Sequence, residues 1–219
     1  LGEFVREHME MVKSDAIVWE GGSKDINHGP LQVALGVKGV TCFELRCRCA
    51  RTDMHSMNAA IVPNPAWRLV KAISSIGKEQ FNNGLTGLEL KKQLFLRPSM
   101  TVQGIHAGYT GEGAKTVLPG EAFCKIDIRT VMGQKPERVL QLVREHLDNH
   151  GFGDIELIAG HSMLPFRGSP ENPLAKAVIE NVEDVYGMKP AIHPNMAGSN
   201  GMGFLCNLTG TPAVCYGVF

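Results

Sequence analysis

Two long segments of the chain alternate between apolar and other residues, and this period of two is typical of a half-buried β-strand. In the second segment, Ala122, Cys124 and Ile126 fall on one face. Elsewhere, apolar residues recur at the spacing of an amphipathic helix. The predicted strands are 35–50, 98–109, 115–131 and 155–158, and the predicted helices are 64–76, a short segment over 88–95 and a segment from Pro136 to near Gly151.

The order of these elements predicts the fold of the middle of the chain. A β-α-β-β-α-β order is that of a ferredoxin-like sandwich, in which two helices cover one face of a four-stranded antiparallel sheet. The chain ends differ, because short strands alternate there with helices, as in an α/β layer. We therefore predict an α/β protein in which an α+β unit, residues 31–163, is inserted into an incomplete α/β domain formed by 1–30 and 164–219.

Composition narrows the function classes. The 22 basic and 22 acidic residues cancel, so charge gives no reason to expect binding to nucleic acid or to an anionic membrane. No apolar run approaches the roughly 18 residues of a membrane span. The six cysteines include no C-x-x-C pair, which favours reduced thiols in a cytoplasmic protein. The first residues do not resemble a signal peptide, and without an initial Met we expect the chain to begin inside a longer protein.

A histidine in the loop Asp53-Met54-His55-Ser56 is the first candidate for chemistry. The loop follows a predicted strand and leads to a helix start, where Asn64 suits the cap and Pro65 the first helical position. A loop held at both ends gives His55 a defined direction. An imidazole at a loop mouth can stabilise a developing oxyanion or orient a substrate. The alternative is an ordinary structural histidine.

Glu20 is the candidate metal ligand. It ends a short apolar strand and precedes Gly21 and Gly22, which allow a tight turn and close approach of a ligand. Functional sites of α/β sheets lie at the carboxyl ends of strands. A solvated strand end is the competing interpretation, and from spacing alone it is the more common one.

Four further residues are candidates for holding a substrate. Arg129, near the end of the second long strand, could bind a carboxylate with its planar fork, or could instead pair with Asp127. Ser199 lies in a Gly-Ser-Asn-Gly segment before a predicted helix, where backbone N–H groups can bind a carboxylate. Thr116 and His161 are weaker candidates, since a β-branched strand residue and a polar residue at a unit boundary are common without any function.

Several stretches of the chain together resemble the aminoacylase/carnosinase family of zinc metallopeptidases, which includes carboxypeptidase G and succinyl-diaminopimelate desuccinylase, and in particular its dipeptidase branch. The resemblance covers nearly the whole chain. The most specific stretches are Gly113-Ala114-Lys115-Thr116-Val117-Leu118-Pro119, and the pair His55-Ser56 and Pro63-Asn64-Pro65. Others are 15–22, 36–40, Arg97-Pro98, Ile128-Arg129, Gly160-His161 and Gly198-Ser199.

This resemblance implies a fold and an activity. It implies a catalytic α/β domain holding two divalent metal ions, zinc or alternatively manganese or cobalt, and a ferredoxin-like lid through which the protein forms a homodimer. It implies hydrolysis of dipeptides or N-acyl amino acids by a water that bridges the metals. Within it, Glu20 matches a metal ligand and His55 matches a lid histidine that acts in the partner's site. Thr116, Arg129, His161 and Ser199 match substrate-holding residues, with Arg129 on the terminal carboxylate.

The chain also departs from the family pattern. The family's His-x-Asp motif and paired glutamates are expected before Leu1, and its last metal histidine after Phe219. One carboxylate cannot hold two ions, so we predict that this 219-residue chain alone neither binds zinc tightly nor hydrolyses peptides. The alternative function is a non-catalytic dimerisation or small-ligand-binding module. A nucleotide-binding domain has only the glycine-rich segment 108–113 in its favour, and that segment is predicted to be a hairpin connection.

Overall fold

The computed structural model describes residues 1–21, 29–77 and 84–217. Its helices are α1 (Gly2–Glu7), α2 (Met9–Val12), α3 (Pro65–Ile76), α4 (Gly87–Leu96), α5 (Pro136–Asn149), α6 (Pro173–Tyr186) and α7 (Met202–Thr209), with a 3₁₀ helix over Ser56–Ala60. Its strands are β1 (Ile17–Glu20), β2 (Gln32–Ala34), β3 (Gly36–Val37), β4 (Gly39–Arg48), β5 (Met54–His55), β6 (Ser99–Ala107), β7 (Val117–Leu118), β8 (Glu121–Thr130), β9 (Glu156–Met163), β10 (Phe166–Arg167), β11 (Ala191–His193) and β12 (Ala213–Tyr216).

The larger sheet has the strand order β6-β8-β4-β9, and every neighbouring pair is antiparallel. Helices α3 and α5 cover one face of this sheet. Their Leu69 and Leu147 pack with the alternating apolar residues of the strands, such as Leu45, Cys124 and Ile126, all fully buried. The predicted ferredoxin-like sandwich is therefore confirmed. The prediction succeeded because alternate residues of a strand point to opposite faces, so the period-two pattern indicates which residues face the helices.

The smaller sheet has the order β1-β12-β2-β11 and mixes parallel and antiparallel pairs. Helix α6 packs on one face, where Val178 and Val182 meet Val33 and Val214. Helix α7 packs on the other, where Met202 and other buried residues meet the strands. The chain ends thus form an α/β layer, as predicted.

Both long predicted strands are interrupted. The first is divided between β3, which pairs with β10, and β4, which enters the larger sheet. Gly39 lies at this crossing, and a Cβ there would clash with Thr130 Oγ1. The second is divided into β7 and β8 at Pro119 and Gly120, since proline has no N–H to give to a strand ladder. Alternation alone does not reveal such a break.

The predicted boundaries at 30/31 and 163/164 remain a proposal. Strand β2, which the boundaries assign to the inserted unit, hydrogen bonds within the smaller sheet. The short helix predicted over 88–95 is confirmed as α4. Gly22 lies outside the described residues. Among the described residues, none of the helices combines the length and the apolar composition that a membrane span requires.

Candidate functional site

His55 and Thr116 meet at the end of the larger sheet that lies farthest from the smaller sheet. The short antiparallel pair β5 and β7 aligns His55 with Val117, so that Thr116 comes beside the imidazole. The His55 Nε2 atom lies 3.3 Å from Thr116 Oγ1. Both side chains are exposed. We call these two residues the tip pair.

The loop fixes the protonation pattern of the His55 ring. The backbone N–H of Met57 donates to His55 Nδ1 over 3.2 Å, so in the neutral ring the proton sits on Nε2. Asn58 Nδ2 donates to the His55 carbonyl over 3.0 Å, and Asp53 Oδ1 accepts from the Gly120 N–H over 2.9 Å. The Nε2–H group is therefore a positioned, solvent-facing hydrogen-bond donor.

The predicted cap of the following helix is also present. Asn64 Oδ1 accepts from the Ala66 N–H over 2.8 Å, and Pro65 occupies the first position of α3. The loop that carries His55 is thus held at both ends, as its sequence predicted.

Arg129 and Ser199 meet where the two sheets approach each other. Arg129 Nη1 donates to Ser199 Oγ over 3.0 Å. On its other side, Arg129 Nε lies 3.3 Å from Asp127 Oδ2, and Asp127 also accepts from Gln103 Nε2 over 3.1 Å. The pairing of Arg129 with Asp127 is therefore confirmed, and the guanidinium keeps 38% of its side chain exposed. Binding of a carboxylate by Arg129 stays a prediction.

His161 lies on the same open face of the larger sheet. Its Nε2 atom is 3.5 Å from Cys42 Sγ, and Cys42 pairs with Asp127 across β4 and β8. Burial, reinforced by the Asp127 carboxylate, raises the pKa of the Cys42 thiol, while Arg129 opposes that shift. The thiol thus stays protonated beside the imidazole. We call Arg129, Ser199, Asp127 and His161 the junction cluster.

Lys38 belongs beside this cluster, and the sequence analysis missed it. It joins β3 to β4 and is only 3% exposed. Its Nζ donates to the Arg97 carbonyl over 2.6 Å, and its backbone N–H donates to the Gly198 carbonyl, next to Ser199. Burial, followed by the charge of Arg129, lowers the pKa of Lys38. A lysine inside the apolar run Gly36-Val37-Lys38-Gly39-Val40 was the available signal.

Glu20 ends β1, as predicted, and its side chain is exposed. Across the described ranges 1–21, 29–77 and 84–217, no group of three or more His, Cys, Asp and Glu residues is placed to hold a metal ion. A single carboxylate does not fit a centre with two ions. The described residues alone therefore do not form such a centre.

The tip pair and the junction cluster lie at opposite ends of β8. Glu121 begins that strand beside the tip, and Arg129 is eight residues farther along. At the rise of an extended strand, eight steps span about 26 Å. One copy of the chain cannot bring both groups to a substrate as short as a dipeptide.

Comparison with known proteins finds a family model and a solved structure that are similar to this chain. The family model described as the M20 "Peptidase dimerisation domain" matches residues 35–154. An M20 family metallo-carboxypeptidase from Sulfolobus solfataricus has a TM-score of 0.86 to this chain at 31% identity, over 98% of this chain and 58% of that one.

Two sequence relatives agree with these matches. The Cys-Gly metallodipeptidase DUG1 of Saccharomyces cerevisiae is 39% identical over 51 residues, which are 23% of this chain and 11% of that protein. The succinyl-diaminopimelate desuccinylase of Nitrosomonas europaea is 28% identical over 138 residues, 63% of this chain and 34% of that protein. The chain therefore matches well under two thirds of the length of each of these proteins, and the resemblance stated from its motifs is confirmed.

Proposed function

The chain belongs to the M20 peptidases, whose dimerisation domain it contains, and on that premise we propose that the complete protein is a metal-dependent peptidase acting on dipeptides or N-acyl amino acids. The names of the relatives, a metallodipeptidase, a metallo-carboxypeptidase and a desuccinylase, support this class of reaction. We assign Glu20 as one ligand of a centre of two divalent ions, zinc or alternatively manganese or cobalt, whose other ligands lie beyond the described residues.

The single observation that carries the proposal is the junction cluster. Arg129 directs its fork towards Ser199 while Asp127 holds its other edge. A partly exposed guanidinium, a hydroxyl and the nearby buried ammonium of Lys38 together suit a carboxylate, because charge-assisted and bidentate hydrogen bonds are the strong ones. We propose that this cluster, in which Arg129 and Ser199 make the contacts and His161 lies beside them, binds the terminal carboxylate of the substrate.

We propose that the tip pair serves the site of a second copy. Because His55 Nδ1 accepts from the Met57 N–H, the ring presents Nε2–H as a donor, which is the group that can stabilise an oxyanion. Thr116 lies within hydrogen-bond distance of it. Since the two groups are about 26 Å apart along one strand, they can act on one small substrate only between chains. We therefore propose a homodimer formed through the ferredoxin-like lid. The six free cysteines favour a reducing, cytoplasmic location.

The proposal is tested by screening the complete protein against a panel of dipeptides and N-acetyl amino acids with zinc, manganese or cobalt. We expect hydrolysis that requires a free carboxylate on the substrate and that ends when the metal is removed by a chelator. A substrate amidated at its C-terminus is the matched control. Failure to cleave any member with any metal would contradict the proposal and favour the non-catalytic module instead.

A further inference from the structure

A β-bulge between β4 and β9 brings a thiol and an imidazole together on the open face of the larger sheet. Two residues of β9, Gly160 and His161, lie opposite the single residue Cys42 of β4. A bulge of this kind redirects side chains and is common next to functional sites. Glycine permits the close approach of the strands, because a Cβ at Gly160 would come within 2.9 Å of the Cys42 carbonyl oxygen. The local backbone thus holds His161 beside Cys42.

The separation of these two side chains suits a tetrahedral metal ion. The Cys42 Sγ and His161 Nε2 atoms are 3.5 Å apart. A zinc ion lies about 2.3 Å from a thiolate sulfur and about 2.0–2.1 Å from an imidazole nitrogen, so two such ligand atoms at a tetrahedral angle are about 3.5 Å apart. The same separation allows a hydrogen bond with one shared proton, and a binding ion would release that proton to solvent.

The pair is open to solvent and has a carboxylate beside it. His161 is exposed and Cys42 is half-buried, so a hydrated ion can reach both ligand atoms. Asp127 is the partner of Cys42 across β4 and β8 and brings a negative charge to the pair. Its two oxygens are taken by Gln103 and Arg129. Asp127 therefore offsets the positive charge of Arg129 without being a ligand itself.

The pair offers an ion two protein ligands. Among the described residues, no group of three or more His, Cys, Asp and Glu is placed around a common ion position. Water or an anion from solution would therefore fill the remaining two positions of a tetrahedral shell. A structural zinc site has four protein ligands, so binding at this pair should be weaker and reversible, and occupancy should follow the ion concentration.

We propose that Cys42 and His161 form a reversible site for a thiophilic divalent ion such as zinc, and that the bound ion lowers the activity of the protein. Thiolate and imidazole ligands select zinc or cadmium over magnesium and calcium. A metal-bound Nε2 atom cannot also contact a substrate, so the ion would withdraw His161 from the junction cluster. Ion binding does not depend on the proposed peptidase function, whereas the loss of activity rests on it.

Titration of the complete protein with Cd²⁺ tests the site without any measure of activity. A metal-bound thiol is deprotonated, and the cadmium–thiolate bond absorbs in the ultraviolet. Cys42→Ser should lower this absorbance by the share of one thiolate. His161→Gln should weaken cadmium binding at Cys42 by at least about tenfold, since even a change behind a ligand costs that much. Equal absorbance in the wild type and Cys42→Ser, or equal affinity in the wild type and His161→Gln, would overturn the site.

The effect on activity is measured as the Cd²⁺ concentration that halves dipeptide hydrolysis by the protein loaded with its catalytic metal. We expect this concentration to rise about tenfold or more in Cys42→Ser, with little change in hydrolysis when no cadmium is added. Cys49→Ser, at the other half-buried cysteine of the described residues, is the control and should be inhibited like the wild type. Thermal unfolding verifies that each variant is folded.

Two results separate failure of this inference from failure of the proposed function. Equal inhibition of the wild type and Cys42→Ser would mean that cadmium acts at another place, and would overturn the inhibitory role while the peptidase function stands. If no dipeptide is cleaved with any metal, the proposed function fails, and the cadmium titration alone then decides whether the Cys42 and His161 site exists.

Discussion

The tip pair and the junction cluster hold their side chains in different ways. His55 is exposed and is oriented by backbone and side-chain groups of its own short loop, Met57 and Asn58. Arg129 is oriented by Asp127 of its own strand and by Ser199, which comes from a loop 70 residues away. The direction of the His55 ring is thus set within its own loop, whereas the junction exists only when the two sheets are packed together.

This difference predicts which changes alter activity and which alter stability. Exposed residues that touch few neighbours contribute little to the free energy of unfolding. Buried polar residues with several partners contribute more, because removal of one partner leaves another unsatisfied. Substitutions at the tip should therefore change turnover alone. Substitutions of buried polar residues close to the junction cluster, such as Lys38 and Asn195, should change folding as well.

The largest effect is expected at the tip. His55→Ala in the complete protein should lower kcat by about two orders of magnitude, equivalent to about 3 kcal/mol, because it removes a donor aimed at the oxyanion. Steady-state kinetics measure this loss, and urea unfolding should show no comparable change. His8→Ala, at another exposed histidine, is the control. Unchanged turnover in His55→Ala would reject the assigned role.

The second-largest effect is expected at the buried Asn195, four residues before Ser199, and it concerns the free energy of unfolding. Asn195→Ala removes the donor to Phe95 and an acceptor of Arg167, and should lower the free energy of unfolding by about 2 kcal/mol. Asn58→Ala at the tip is the matched control and should cost less than about 0.5 kcal/mol. Urea denaturation followed by circular dichroism compares them. Equal losses at the two asparagines would remove the distinction between the two regions.

A smaller effect is expected when the Arg129 fork is replaced. Arg129→Lys keeps the positive charge but loses the planar pair of donors, so KM should rise about tenfold with little change in kcat. Arg138→Lys on the exposed face of α5 is the control. An unaltered KM would show that Arg129 serves mainly as the partner of Asp127.

The smallest effect is expected outside both regions, at two histidines of the lid. It concerns the pH dependence of stability and not the chemistry of the site. His146 on α5 and His150, which caps that helix, stack with ring centroids 3.9 Å apart. Burial, followed by the neighbouring His150, lowers the pKa of His146 below 6.5. The folded state therefore binds this proton more weakly than the unfolded state, so stability is complete above pH 6.5 and decreases as the pH falls towards the folded pKa.

His146→Gln should reduce this acid dependence, and His8→Gln should leave it unchanged. Thermal unfolding between about pH 7.5 and pH 5 measures both. Stability that varies identically in the wild type and in His146→Gln would contradict the assignment. Because neither histidine of the stacked pair belongs to the tip pair or to the junction cluster, protonation of His146 should not change KM.

The sequence predicted those features of the fold that depend on contacts between neighbouring residues. The alternation of β8 and the Asn64 cap both depend on a few neighbouring residues and were predicted correctly. The break between β3 and β4 and the burial of Lys38 depend on segments more than fifty residues away. Alternation does not mark the break, and the apolar run around Lys38 does not reveal which residues bury it.

In the candidate site, too, single residues could be predicted from the sequence, but contacts between distant segments could not. The motifs identified His55, Thr116, Arg129, Ser199, His161 and Glu20 one at a time, and the structure brings Thr116 to His55 and Ser199 to Arg129. Which residues share a site was not predictable from spacing, because each pair is joined across 60 or more residues. The roles assigned to all six remain proposals.

The most direct test of the account mixes subunits of two inactive variants of the complete protein, His55→Ala and Arg129→Ala. If a site takes His55 from one copy and Arg129 from the other, each mixed dimer contains one intact site. Random exchange should then restore about one quarter of the wild-type activity. If both residues serve the site of their own chain, no mixed dimer has an intact site, and activity that stays at the level of the separate variants would contradict the account.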